Sequence, residues 1–162
     1  MADDVYCIDA SSLIKLRQDF RRSVFPTLWD KVEKLIQGGR LVAANEVLEE
    51  IKKDDVLGPW AKKNKKMFRK LDQKQVELAA EVAGKFRELA KPGRFGPAAD
   101  TFVVALGSAQ DQALSGSLLS SPSRCLVVTE ERGPNKIPGA CKHYGVICVS
   151  LVDVFEREGW KF

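Results

Sequence analysis

Histidine occurs once in 162 residues, at His143. It lies in a predicted turn and reads as structural or exposed, which leaves any chemistry to other side chains. No stretch approaches the ~20 consecutive apolar residues of a membrane-spanning helix. The N-terminus, MADDVYC, carries acids where a secretory leader carries bases, so export is not expected. No internal repeat is present. Cysteine is sparse, at positions 7, 125, 141 and 148, and no CxxC knuckle joins Cys125, Cys141, His143 and Cys148 into a zinc site. Cys148 falls inside the strand-like run VICVSL, so these cysteines read as small core hydrophobes of a reducing compartment.

Hydrophobic residues make up 44% of the chain and charged residues 30%. That is the balance of one ordinary globular domain, taken as 1–162. The net charge of +4 is unevenly spread. Lys52 to Lys74 holds nine bases against three acids, an excess larger than that of the whole chain. Such a stretch is either a solvated face or a track for a phosphate backbone. Its centre, Lys62, Lys63, Lys65, Lys66, Arg69 and Lys70, is the candidate nucleic-acid-binding segment.

Periodicity predicts strands at Val5–Ile8, Leu41–Ala43, CLVVT and VICVSL. Between them the spacing predicts helices. One begins near Leu13, with Ser11 or Ser12 as its cap. Another has Pro26 as its first residue or just before it, and carries Leu28, Trp29, Val32, Leu35 and Ile36 at helical spacing before Gly38-Gly39. A third is capped by Asn45 and carries Val47, Leu48 and Ile51 on one side. Further helices are expected over roughly Leu57–Leu71, over Gln73–Ala90, opening at Pro97-Ala98-Ala99-Asp100 and running through TFVVALGSAQDQAL, and in LVDVFEREG. KPGRFGP reads as a breaker, SGSLLSSPSR as a serine-rich loop and GACKHYG as a turn. Alternating strands and helices predict a three-layer α/β/α sandwich with a mainly parallel central sheet.

Ligands of such sheets sit outside the carboxyl ends of the strands, and acids gather there. Asp9 follows the first strand, Glu46 opens the helix after the second, and Glu130 and Glu131 follow CLVVT. Asp100 opens a largely apolar helix whose N-terminus can point to the same edge. Each has an ordinary alternative. Asp9 can bind the amides of its own turn, Asp100 can be an N-cap and Glu46 can face solvent. Together, however, carboxylates in one cleft raise one another's pKa unless a cation intervenes. As hard oxygen donors they suit magnesium or manganese, which activate water and stabilise the oxyanions of phosphodiester displacement.

The ordered stations Ile8-Asp9-Ala10-Ser11, Glu46 in NEVLEEI, Ala99-Asp100 with TFVVALG, and VVTEE resemble those of the PIN-domain superfamily of metal-dependent ribonucleases. That superfamily includes the VapC-type toxins of toxin–antitoxin pairs. FPTLWDKVEKL, GRLVAANEVLEEI, the Asp54–Trp60 spacing and KIPGACKHYGVICVSL look closest to an uncharacterised prokaryotic group within it. The resemblance implies a PIN-like fold and a quartet of acids, Asp9, Glu46, Asp100 and Glu131, holding one or two Mg2+ or Mn2+ ions. The fourth station departs from the usual Asp, and Glu130 can serve in place of Glu131. Ser11 and Thr129 would be supporting hydroxyls. The expected activity is cytoplasmic endoribonuclease action on single-stranded RNA, with an antitoxin protein and a homodimer or higher homo-oligomer implied by the toxin branch. In that reading the lysine-rich segment guides RNA to the acids, while Trp60 and Phe68 are core residues before they are base-stacking ones. The alternative is a PIN-like module that binds RNA or protein without cutting. A haloacid-type phosphatase needs an acid where Ser11 stands, and a receiver needs an acidic pair at the first strand; DASS offers one.

Overall fold

The computed structural model describes residues 3–91, 98–116 and 123–162. The breaker KPGRFGP, apart from Lys91, and most of the serine-rich loop lie outside these residues. In chain order the elements are β1 (Val5–Ile8), α1 (Ala10–Asp19), α2 (Pro26–Gln37), β2 (Leu41–Ala44), α3 (Asn45–Ile51), α4 (Leu57–Lys63), β3 (Phe68–Arg69), α5 (Gln73–Lys85), α6 (Arg87–Ala90), α7 (Asp100–Ser115), β4 (Cys125–Val128), α8 (Ile137–His143), β5 (Ile147–Val149) and α9 (Leu151–Arg157). The five strands form a parallel sheet in the order β3-β2-β1-β4-β5. Helices cover both faces. α5, α6, α7 and α8 pack on one another on one side, with α7 crossing β4, β1 and β2; α1 meets α3, α4 and α9 on the other. This is the expected three-layer α/β sandwich.

Both faces of the central strands being covered explains their composition, since β2 and β4 are buried at every residue. α2 buries Leu28, Trp29, Val32, Leu35 and Ile36 and starts at Pro26, as its spacing predicts. Trp29 meets Trp60 of α4 edge-on at 5.7 Å, and Trp60 is 6% exposed. Both indoles are satisfied, by Phe20 O and by Glu33 respectively. Phe68 is partly buried against the core. Trp60 is therefore a packing residue, as the helical spacing of the aromatics suggests.

Five local expectations are corrected. Asn45 does not cap α3 but is its first residue, with Ala44 as the N-cap and no side-chain capping bond. α1 begins at Ala10, not near Leu13, because Asp9 itself caps it by accepting from Ala10 N at 2.8 Å. The helix expected over Leu57–Leu71 stops at Lys63. Asn64 leaves helical geometry and ties its amide to Trp60 O. A 3-10 turn follows at Lys65–Met67, then β3, which takes the open edge of β2. Helix propensity in a lysine-rich run loses here to strand pairing and to burial of Met67. The Gln73–Ala90 helix breaks at Phe86, where φ is −123° and ψ 73°. Finally, GACKHYG contributes most of α8. Pro138 falls in its first turn, where no amide is needed, and Gly139 passes so close to Pro134 O that a Cβ would sit 1.8 Å from it.

Gly107 sets how closely α7 approaches the sheet, since a Cβ there would meet Val127 Cγ2 at 2.4 Å. Gly107→Ala is expected to lower stability by about 1–3 kcal/mol through overpacking, less the ~1 kcal/mol that alanine gains in a helix. Urea unfolding of the two proteins measures the difference; equal midpoints would show that α7 is free to shift.

The amino edge of the sheet is well neutralised. Arg40 forks onto Glu158 at 2.9 and 2.7 Å, and Tyr6 donates to the same carboxylate at 2.6 Å. Arg157 pairs with Asp4, and Arg124 with Asp111. Asp111 also accepts from Cys125 N, which ties the end region of α7 to the start of β4. The carboxyl edge is different.

Candidate metal centre

Three acids from three elements meet at the carboxyl edge. Asp9 ends β1, Asp100 starts α7 and Glu131 lies three residues after β4. Each offers one oxygen, and the three oxygens lie within 4.8 Å of one another. Among the described residues this is the group of acids, histidines or cysteines that can hold a metal ion. Cys125, Cys141, His143 and Cys148 are not gathered in this way; the His143 ring packs edge-on against Phe86 and Tyr144.

Asp9 is 2% exposed and held on both sides. Its Oδ1 accepts from Ala10 N, and its Oδ2 accepts from Ser11 Oγ at 2.7 Å and Thr129 Oγ1 at 2.9 Å. The two hydroxyls are 3.2 Å apart. They also accept main-chain donors, Glu130 N at Ser11 and Glu131 N at Thr129. Ser11 and Thr129 thus couple the orientation of Asp9 to the loop that carries Glu131, as the sequence pattern suggests.

The two glutamates after Thr129 part company. Glu130 turns its Oε1 to Ser12 Oγ and Leu151 N, bracing the start of α9 against α1. Glu131 joins the cluster. Its Oε2 is buried with no hydrogen-bond partner in the protein. A buried oxygen left this way costs free energy that a cation would recover.

Glu46 stands outside the three-oxygen group, on α3, with its Oε2 buried and unpartnered. The α3 acid that acts on the cluster is Glu50, one turn further along the same face, which the sequence reading did not single out. Glu50 feels the charges of Asp9 and Glu131, and Asp100 in turn feels Glu50. The signal available was the i, i+4 spacing of two acids on α3.

The electrostatics follow from burial and like charge. Burial pushes Asp100 up to about 8, and Asp9, Glu131 and Glu50 add to it while Lys136 opposes. Burial also raises Asp9, against the hydrogen bonds from Ser11, Thr129 and the main chain. It raises Glu131 and Glu50, each further raised by Asp9. No ion pair within 4 Å offsets these four among the described residues. The donor set fits a hard divalent ion, being all carboxylate, crowded and short of positive partners.

The lysine-rich segment is divided by the fold. Lys66 donates to Gln37 O, at the end of α2 and hence towards the amino edge. Lys62 and Lys63 close α4, and Lys65 lies in the turn after it. Arg69 pairs in register with Ala44, the last residue of β2. Cys7 is level with Val42, so continuing that register brings Asp9 level with Ala44. The main chain of Arg69, and of Lys70 after it, therefore stands at the acid edge, two strands from Asp9, or ~10 Å between main chains, while the Arg69 side chain turns back to donate from Nε to Lys66 O at 3.2 Å.

A family model described as Domain of unknown function (DUF4411) matches residues 6–162, a span that contains every acid of the site. The chain belongs to that family. No curated protein matches it. Among the described residues, no helix is long and apolar enough to cross a membrane.

Proposed function

We propose that this member of the DUF4411 family is a PIN-type endoribonuclease that uses Mg2+ or Mn2+ to hydrolyse RNA phosphodiesters. The observation that carries the reading is the convergence of Asp9, Asp100 and Glu131 oxygens within 4.8 Å at the ligand-binding edge of a parallel sheet. Asp9, Asp100 and Glu131 would hold the ion, with Glu50 further out on α3. When bound, such an ion lowers the pKa of water and neutralises charge developing on phosphate oxygens.

The chain's own residues prepare for that. Ser11 and Thr129 hold Oδ2 of Asp9, and Ala10 N holds its Oδ1, in one orientation. Asp100, raised to about 8, keeps a proton at neutral pH without metal and releases it when a cation arrives. Lys70, exposed after β3, offers positive charge to the substrate backbone near an edge that otherwise repels it. A cytoplasmic setting, an antitoxin partner and self-association follow from the PIN resemblance and form the outer part of the proposal.

The test is incubation of mixed RNA with the protein in magnesium or manganese, with and without chelator. Fragments are expected only with free metal. RNA that is bound but stays intact at every metal concentration would replace the nuclease with the non-cutting binding module.

A further inference from the structure

We infer that the solvent side of α2, beside the amino edge of the sheet, is a second contact for RNA, in which Lys31, Lys34 and Lys66 hold backbone phosphates without help from a metal. RNA as the ligand rests on the nuclease reading; the cationic surface does not.

The surface is assembled from segments far apart in the chain. Lys31, Lys34 and Leu35 of α2 line a groove of about 230 Å³ with Arg40, Glu158 and Trp160. Lys31 Nζ lies 5.9 Å from the centroid of the Trp160 ring, and that ring is backed by Phe155, stacked 5.7 Å away. The Lys66 ammonium reaches the same helix from the turn after α4, donating to Gln37 O at 2.9 Å. That bond uses one of three ammonium donors and fixes the charge at the carboxyl end of α2, a turn beyond Lys34. Acids of this region are already held by arginine. Arg22 pairs with Asp30 and Glu33, and Arg40 forks onto Glu158. Lys31, Lys34 and Lys66 have no acidic partner within 4 Å among the described residues.

The cations left free indicate the partner. A planar arginine fork suits a carboxylate, and the arginines here are taken by carboxylates of the chain itself. The remaining lysine ammoniums are point charges, suited to successive phosphates of a backbone. Distance then separates this contact from the acids. Arg40 Nε donates to Asp4 O at 3.0 Å, which sets the groove beside the start of β1. The chain advances five residues from Asp4 to Asp9, or ~17 Å of strand. Exposed charges are largely screened from one another beyond ~10 Å at 0.1 M salt. Phosphates at α2 therefore escape the repulsion of the acid centre, and the contact forms whether or not a metal is bound. The part of the lysine-rich segment that the fold turns away from the acids thus acts on the same strand from the other edge.

The experiment compares wild type with two triple variants, one carrying Lys31→Met, Lys34→Met and Lys66→Met, the other Lys31→Arg, Lys34→Arg and Lys66→Arg. Anisotropy of a fluorescent single-stranded RNA is followed across salt concentrations in chelator, and cleavage is followed in manganese. The methionine variant is expected to bind about tenfold more weakly or worse and to lose about 2 from the salt slope, ~0.7 for each of three phosphates on a single strand. The arginine variant should keep both. Urea midpoints of the two variants should match wild type, since each exchange keeps the apolar stem. Unaltered RNA affinity and salt slope in the methionine variant overturn the proposal, even where wild type cleaves. Polyglutamate that binds wild type as tightly as RNA of equal charge, through the same lysines, also overturns it and makes an acidic protein segment the partner. Lysine-dependent RNA binding without cleavage at any Mn2+ concentration keeps this contact and removes the nuclease. Wild type that neither binds nor cleaves RNA removes both.

Discussion

Asp100→Asn is expected to remove metal-dependent cleavage while making the metal-free protein more stable at pH 8. Loss of a residue that only supports a metal ligand costs ~10–100-fold, so loss of a ligand should exceed that range. The gain in stability follows from linkage. The folded-state pKa of Asp100 is raised from 3.8 to about 8. Between those values the folded chain binds more protons than the unfolded one, so stability falls as pH rises. Each unit of elevation is worth at most about 1.4 kcal/mol, and contact with water at the cleft reduces it. Asp111, Glu33 and Asp54 have lowered carboxyls, because Arg124, Arg22 or main-chain amides stabilise their charge. Their contribution is present above about 4 and is lost as pH falls below it. Metal-free wild type should therefore be most stable near pH 5, with the decline towards pH 8 flattened in Asp100→Asn. Urea unfolding at pH 5 and pH 8 measures this. An equally steep decline in the variant would deny Asp100 its role.

The second large effect is on heat stability. Mn2+ at one hundred times its dissociation constant stabilises the folded state by about 2.7 kcal/mol. For a domain of this size that raises Tm by roughly 5–10 °C. The shift should vanish in Asp9→Asn and shrink as pH is lowered from 8 to 6, because protons compete for raised carboxyls. Differential scanning fluorimetry with magnesium, manganese and chelator checks it. A shift that survives Asp9→Asn would move the metal away from this edge.

Much of this was legible in the chain. Fully covered strands betray themselves as unbroken apolar runs, and Leu41–Ala44 and Cys125–Val128 did so. A helix with one dry face does so by spacing, as α2 shows. Acids just after strands could be assigned to one edge by topology alone. What could not be read depended on partners distant in sequence. Glu46 and Glu50 share a face of α3, and that Glu50 is felt at the centre depends on the packing of α3 against Asp9 and Asp100, which the sequence does not place. Glu130 and Glu131 are adjacent, and only the packing of α9 shows that Leu151 N claims the first. The lysine-rich run looked helical because local propensity favours it, while the open edge of β2 is a tertiary fact. α8 was hidden behind Pro138 and Gly139, which break helices elsewhere and are accommodated here by its first turn and by the close approach of Pro134.

β1 is central in the sheet, yet its neighbour β4 lies some 120 residues later, with Val5 opposite Cys125. A nascent chain still lacking β4 has no Thr129 hydroxyl to orient Asp9 and no Glu131 to complete the group. In such a chain the three-oxygen group cannot form. The acid group is complete only once β4 has docked beside β1, a pairing distant in sequence.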